Sequence, residues 1–226
     1  MLPHRPRRRM RREPAAPKWR GHRPVRGRVV GSGRPTPRWR GLEGRATIQG
    51  REIIRASVPA DDLRRTLTTA QPDTDQTLPH IGLVGDTYTI TVSGDDTGGR
   101  FCVVDMHIPP GGGPPAHRHN FEETFILFEG EVEATFRGQK TVWRAGDTVN
   151  IPANAPHQFH NASSKPARLL CICSPAGQEK FFAEVGVPVA TRTAPPPKLD
   201  AKQQAEFRQK ATALAPKYRT ELLEKA

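Results

Sequence analysis

Two short stretches of the sequence decide the fold and carry its chemistry. Residues 111–130 read GGGPPAHRHNFEETFILFEG, and residues 146–161 read GDTVNIPANAPHQFHN. In an extended segment, residues two apart point the same way, so His117 and His119 can converge on one ion. Glu123 enters the next strand and can add a carboxylate oxygen from the same side. His157 follows a turn in the second stretch, and an antiparallel partner strand would bring it to the other three.

These four side chains predict a mononuclear site for one divalent transition metal. Three imidazoles and one carboxylate suit Fe, Mn, Ni, Cu or Zn, and a ligand set without thiolate argues against a structural zinc site. An octahedral ion held by four protein ligands keeps two positions open, where substrate or O₂ could bind. We therefore expect a site that can support chemistry.

The residues around the two stretches predict an all-β fold. Short runs of strand-forming residues are separated by Gly, Pro, Asp and Asn, with no helical segment between them, a pattern typical of a sandwich or barrel. The predicted strands are Tyr88–Val92, Phe101–Ile108, Glu123–Phe128, Glu131–Phe136, Thr141–Trp143, Thr148–Ile151, Gln158–Asn161 and Arg168–Cys173.

Both stretches resemble the two conserved motifs of the cupin superfamily. The first motif, G-x5-H-x-H-x3-E-x6-G, is matched by Gly111, His117, His119, Glu123 and Gly130. The second, G-x5-P-x-G-x2-H-x3-N, is matched by Gly146, Pro152, His157 and Asn161, with Asn154 where the family has Gly. Asn tolerates a left-handed turn, so this departure is mild. The resemblance covers residues 80–175 and is to small, single-domain, quercetinase-like members with a type-2 conserved barrel. It implies an antiparallel double-sheet jelly-roll barrel and a metal site.

Strand alternation predicts which side chains line the space near the metal. If Glu123 points into the barrel, Phe125 does as well. We expect Val103, Phe125, Phe159 and Cys173 to contact the substrate, which would then be small and apolar or aromatic. Cys171 shares a face with Cys173, and the pair either fills space as small apolar side chains or takes part in redox or metal-linked chemistry. Arg118 and His160 are expected to face away from the metal.

Three functions fit this site. The first is a dioxygenase-like, metal-dependent oxygenase, in which Glu123 could also act as a catalytic base. The second is a non-oxidative, metal-dependent isomerase, decarboxylase or lyase. The third is a non-catalytic protein that binds or senses a small molecule. The resemblance leaves these open, because cupins include all of them.

Composition divides the chain into four segments. Residues 1–45 hold 14 arginines and Lys18 against only Glu13 and Glu43, which accounts for the net charge of +12. We expect this Arg/Pro/Gly-rich segment to be a disordered tail rather than a nucleic-acid tether. Residues 46–79 are transitional, with a short helix predicted at Asp61–Arg65. Residues 80–175 form the barrel.

The fourth segment, residues 176–226, is predicted to contain helices and a Pro-rich linker. Ser174 and Pro175 would begin one helix, Gly186 would end it, and Asp200 would cap the next. Pro216 should break that helix. Its apolar stripe should dock on the chain's own barrel or on a second copy in a homodimer; the stripe comprises Phe207, Ala211, Leu214, Tyr218 and Leu222.

Cysteine content and hydropathy predict the compartment and the partners of the protein. Three cysteines are too few for a disulfide scaffold, so we expect reduced thiols in a cytoplasmic protein. No apolar run approaches the length that a membrane span needs, so a membrane is not an expected partner. The expected partner is a small-molecule ligand.

Overall fold

The predicted strands form two antiparallel sheets that face each other across the core. The computed structural model describes residues 46–48, 51–53, 60–83 and 85–224. Its strands, in chain order, are β1 (Ala46–Ile48), β2 (Arg51–Ile53), β3 (His80–Leu83), β4 (Asp86–Val92), β5 (Cys102–Ile108), β6 (His117–His119), β7 (Glu122–Glu129), β8 (Glu131–Phe136), β9 (Gln139–Arg144), β10 (Thr148–Ile151), β11 (His157–His160), β12 (Ala167–Ser174), β13 (Val187–Pro188) and β14 (Thr220–Leu222).

The sheet order separates the metal ligands between the two layers. One sheet has the order β10-β7-β12-β5-β4-β3-β13, and the other has the order β14-β6-β11-β8-β9. Strands β6 and β11 are thus neighbours in the second sheet, whereas β7 lies in the first. The strands β1 and β2 pair with each other in a unit of the chain that is distinct from residues 60–226. The expected all-β, double-sheet architecture is confirmed, and the predicted disordered tail, residues 1–45, lies outside the described residues.

Alternation along each strand builds the core between the sheets. On β12 the side chains at alternate positions, Ala167, Leu169, Cys171 and Cys173, are buried. An aromatic cluster lies at the centre, where the ring of Phe125 is 5.4 Å from that of Phe159 and 5.6 Å from that of Trp143. Each such aromatic pair adds roughly 0.5–1.5 kcal/mol beyond burial of its area.

The helices differ from the prediction in three places. Residues 61–65 form no helix but a turn at Leu63–Arg64, because Leu63 is 87% exposed and packs against no core within the described part of the chain. A short helix, α1 (Gly94–Thr97), interrupts the strands and is closed by a capping box between Ser93 and Asp96. Helix α2 (Gln178–Val185) begins later than expected, because Ser174 still pairs with Glu122 in the sheet. Its predicted end at Gly186 is confirmed.

The C-terminal segment packs on the barrel of its own chain. Helix α3 (Ala201–Leu214) carries the predicted cap at Asp200, and a 3₁₀ helix (Ala215–Tyr218) follows where Pro216 was expected to break it. The side chain of Ala211 is buried, and the other members of the predicted stripe are half-buried against the core. The homodimer therefore stays a prediction, because the stripe contacts its own barrel.

None of the described helices has the length and the apolar character needed to cross a bilayer.

Candidate metal centre

The structure brings the four predicted ligands together from both sheets. His117 and His119 lie on β6 and His157 on β11, while Glu123 reaches across from β7. Their ligand atoms all lie within 4.8 Å of one another. The site is well shielded, since His117, the most exposed of the four, is only 7% exposed. Local alternation on β6 and antiparallel pairing of His157 with His117 produce this convergence.

Each imidazole is oriented by a backbone carbonyl on the far side of its ring. The Nδ1 atoms of His117, His119 and His157 lie 2.8, 2.9 and 2.9 Å from the carbonyl oxygens of residues 115, 121 and 155. A carbonyl only accepts, so Nδ1 must donate, and the inward Nε2 carries the lone pair unless the ring is protonated. Such outer hydrogen bonds fix the tautomer of metal-binding histidines.

The inner atoms of the cluster require a positive charge between them. Oε2 of Glu123 lies 3.0 Å from Nε2 of His119 and 3.1 Å from Nε2 of His157. With Nδ1 of each ring donating outward, these three inner atoms are all acceptors. Either a proton on an imidazole or a metal ion must sit among them. The chemistry of the donor set therefore fits a divalent transition metal bound by His117, His119, Glu123 and His157.

The ionisation of the cluster agrees with this geometry. Burial and the nearby His157 lower the pKa of His117 to about 3, which keeps this imidazole neutral and able to bind a metal. Burial alone would raise the pKa of Glu123, but hydrogen bonds from His119 and His157 outweigh it and hold the value well below its usual range. Burial likewise opposes the charge on His157, and its bond to Glu123 outweighs burial and raises its pKa.

The loops before the histidines are held by specific backbone contacts. Gly113 has a φ of 132°, and a Cβ there would lie 2.2 Å from the carbonyl oxygen of Phe159. Its N–H donates to Oδ1 of the buried Asp86 over 3.1 Å. Asn154 adopts the left-handed conformation expected of it, with φ of 68°, and its N–H donates to the carbonyl of His119. Side chains and backbone around the ligands are therefore fixed by the fold.

The predicted substrate-contacting residues fall into two groups. The predicted inward direction of Val103 is wrong: it pairs with Ile172 on the sheet face opposite that of Glu123. The polar Asp105 and His107 share its face, and this alternation was a usable signal. Phe125, Phe159 and Cys173 are buried on the core side, and their contact with a substrate stays a prediction.

Residues that were expected to face away from the ligands do so. Arg118 lies between the two histidines of β6 and pairs with Glu221, with Nε and Oε2 2.6 Å apart. His160 is exposed and lies 3.9 Å from Glu133, on the other side of β11 from His157.

The structure adds a contact that sequence reasoning missed. Sγ of Cys171 lies 3.2 Å from Oε1 of Glu123, and Sγ of Cys173 lies 3.7 Å from the same oxygen. Alternation placed both thiols on one face of β12, but the pairing of this strand with β7 was not visible locally. The bond from Cys173 lowers the pKa of Cys171, but burial and the charge of Glu123 outweigh it and raise the pKa to about 12.

Comparison with known proteins gives a family match within the barrel and partial matches to two curated relatives. The family model described as "Cupin domain" matches residues 104–173. Quercetin 2,3-dioxygenase of Bacillus subtilis (strain 168) is 28% identical over 109 residues, 48% of this chain and 32% of that protein. Auxin-binding protein 1 of Arabidopsis thaliana is 32% identical over 74 residues, 29% of this chain and 37% of that protein. The matches span about a third of the length of these curated relatives.

A match to a solved structure covers half of the chain. The crystal structure of an RmlC-like cupin from Shewanella frigidimarina has a TM-score of 0.40 and 17% identity, over 50% of this chain and 99% of that chain. Together, the two sequence motifs, the double-sheet fold and the family match identify the class. The chain therefore contains a cupin domain, at residues 104–173.

Proposed function

We propose that this protein is a metal-dependent oxygenase that adds both atoms of O₂ to a small apolar or aromatic substrate. The observation that carries the proposal is the convergence of three imidazoles and one carboxylate with their acceptor atoms turned inward. The partial similarity to a quercetin 2,3-dioxygenase supports the oxygenase class over the other reactions that cupins perform. When bound, a metal would supply Lewis-acid polarisation of a substrate oxygen.

The chain's own residues have distinct roles in this proposal. His117, His119 and His157 hold the ion through Nε2, because their Nδ1 atoms are engaged by carbonyl groups. Glu123 holds it through Oε2 and is also the proposed catalytic base for a substrate hydroxyl.

The surroundings of the ligands support an apolar or aromatic substrate. The residues two positions beyond Glu123 and His157 on their strands are Phe125 and Phe159, which pack together in the barrel. The cation nearest in sequence, Arg118, points away and pairs with Glu221. It therefore does not offer a site for a phosphate group. An aromatic substrate that can lose a hydroxyl proton fits these features.

A binding protein without chemistry is the second candidate. The similarity to auxin-binding protein 1 favours it, because the aligned region of that relative belongs to a protein named for binding a small molecule. A non-oxidative, metal-dependent isomerase, decarboxylase or lyase uses the same ligand set and differs from the oxygenase in that it consumes no O₂.

The test combines metal analysis with O₂ consumption. The full chain is stripped of metal, loaded separately with Fe, Mn, Ni, Cu or Zn, and supplied with quercetin and other aromatic substrates that carry acidic hydroxyl groups. We expect one metal per chain and O₂ uptake with at least one metal and substrate. His157→Ala should lack both, whereas His160→Ala, a change on the same strand, should retain them.

The other outcomes decide between the candidates. Turnover that continues without O₂ would assign the non-oxidative reactions. Saturable binding of an aromatic compound without turnover would assign the binding protein. Failure of the wild-type chain to retain any of the five metals would refute the metal centre itself.

A further inference from the structure

The carboxylate of Glu123 divides its two oxygens between two different environments. Oε2 faces Nε2 of His119 and of His157, at 3.0 and 3.1 Å. Oε1 faces the opposite way, toward the thiols of Cys171 and Cys173 on β12. Glu123 is 4% exposed and both cysteines are fully buried, so water does not replace these contacts. The carboxylate of Glu123 therefore lies between the imidazoles and the two thiols.

Oε1 of Glu123 needs a hydrogen-bond donor, and a thiol supplies one. A buried acceptor without a partner costs about 1–3 kcal/mol. Within the described part of the chain, the two thiols are the groups that contact Oε1, and the shorter contact, 3.2 Å, is from Cys171. A thiol is a weak donor, but hydrogen bonds to a charged acceptor are the stronger kind. The sulfur atoms of Cys171 and Cys173 lie 3.6 Å apart, so Cys173 can in turn donate to the sulfur of Cys171.

We propose that Cys171 is a positioning residue for Glu123. Its S–H donates to Oε1, holds the carboxylate plane, and leaves Oε2 alone to face the imidazoles. Glu123 would then contribute a single oxygen to a metal rather than both. This inference rests on the proposed metal centre and explains why a cysteine, rather than an aliphatic side chain, lies at this point of the core. Groups that orient metal ligands in this way typically change metal affinity by about 10–100-fold.

The position of Cys171 on the strand explains how the contact arises. Cys173 pairs directly with Glu123, and Cys171 pairs with Phe125, the next inward residue of β7. Both thiols thus project from β12 beside the inward-facing side chains of β7. Register alone determines the contact, because a shift of one residue would turn both thiols to the other face of the sheet.

The test compares donor and non-donor replacements of Cys171 with a matched control. Cys171→Val keeps most of the side-chain volume without a donor, Cys171→Ala removes both, and Cys171→Ser restores a donor. Cys102→Ala changes a third buried cysteine, which pairs with Cys173 and lies one strand farther from Glu123. Thermal unfolding of each metal-free variant checks that it folds. Metal affinity is measured by competition with a chelator, and the visible and near-ultraviolet spectrum of the Co(II) form reports the ligand set.

We expect both non-donor variants to bind metal about 10–100-fold more weakly than the wild type, with an altered Co(II) spectrum. Cys171→Ser should recover most of the affinity, and Cys102→Ala should match the wild type. Equal affinity of the wild type, Cys171→Val and Cys102→Ala would overturn the inference and leave the metal centre intact. A thiolate-to-cobalt charge-transfer band that disappears in Cys171→Ser would also overturn it, because Cys171 would then be a ligand. A wild-type chain that binds no metal would refute the proposed function together with this inference.

Discussion

Replacement of His157 by Ala should remove most of the stabilisation that a bound metal gives this protein. His157 has no exposed surface, and its Nε2 is one of the four ligand groups that converge within 4.8 Å. A metal at 100 times its dissociation constant stabilises the folded chain by about 2.7 kcal/mol. For a chain of this size, 1 kcal/mol shifts the melting temperature by roughly 2–4 °C. The wild type should therefore gain roughly 5–11 °C from such a metal concentration.

The variant should lose nearly all of this gain. Removal of an indirect partner of a metal ligand already costs about 10–100-fold in affinity, so loss of a direct ligand should cost at least about 100-fold. At the same metal concentration the stabilisation of His157→Ala then falls to about 0.4 kcal/mol, which corresponds to roughly 1–2 °C. The comparison is between metal-loaded and metal-free samples of each variant, because the loss of a bond to Glu123 lowers the stability of the metal-free protein as well.

The assay is a thermal unfolding series with increasing metal, recorded by circular dichroism. His160→Ala is the control, since its exposed side chain lies on the same strand but faces away from the cluster. This control should keep the full wild-type gain. A metal-induced gain in His157→Ala as large as that of the wild type would show that the stabilising ion binds elsewhere and would refute the assignment.

Two further predictions concern the fold that supports the site. Burial raises the pKa of Asp86 to about 8, so between pH 4 and this value it is protonated in the folded state and ionised in the unfolded one. The contribution of Asp86 to the free energy of unfolding is therefore complete below the pKa of this residue in the unfolded chain. It falls by up to about 1.4 kcal/mol per pH unit as the pH rises above that value. Asp86→Asn keeps an acceptor for the N–H of Gly113 and should remove this dependence of the free energy of unfolding on pH. The measurement is urea unfolding at pH 5, 6 and 7, and the same pH dependence in both proteins would contradict the prediction. Phe125→Ala should lower the free energy of unfolding by about 3–5 kcal/mol, whereas Phe128→Ala, at a half-exposed position, should change it by less than about 0.5 kcal/mol; equal losses would show that the aromatic cluster is not the centre of the core.

Much of the candidate site could be predicted because its signals are local. The spacing of His117 and His119 reports a shared strand face without knowledge of any partner strand. The turn at Asn154 and the cap at Asp200 depend on the conformational preferences of single residues. Both appear in the structure where they were expected.

The errors arose where the direction of a side chain depends on a partner strand. Val103 and Val104 are equally apolar, so residue type at these two positions does not separate them. The polar Asp105 and His107 gave a local signal for the outer face, and the pairing of β5 with β12 turns Val103 out and Val104 in. The predicted helix at residues 61–65 failed for a related reason. Among the described residues, Leu63 and Leu67 pack against no apolar surface and are exposed. Local helix propensity therefore has no packing to support it.

The sequence by itself determined the all-β class, the cupin motifs and the identity of the four convergent side chains, because each follows from short-range periodicity and residue type. The tertiary structure alone decided that Cys171 contacts Glu123 and that the C-terminal strand β14 pairs with the ligand strand β6. Both contacts join residues far apart in the chain, and their geometry depends on sheet register. Register follows from the packing of the whole core, since a slip of one residue reverses every side chain on a strand.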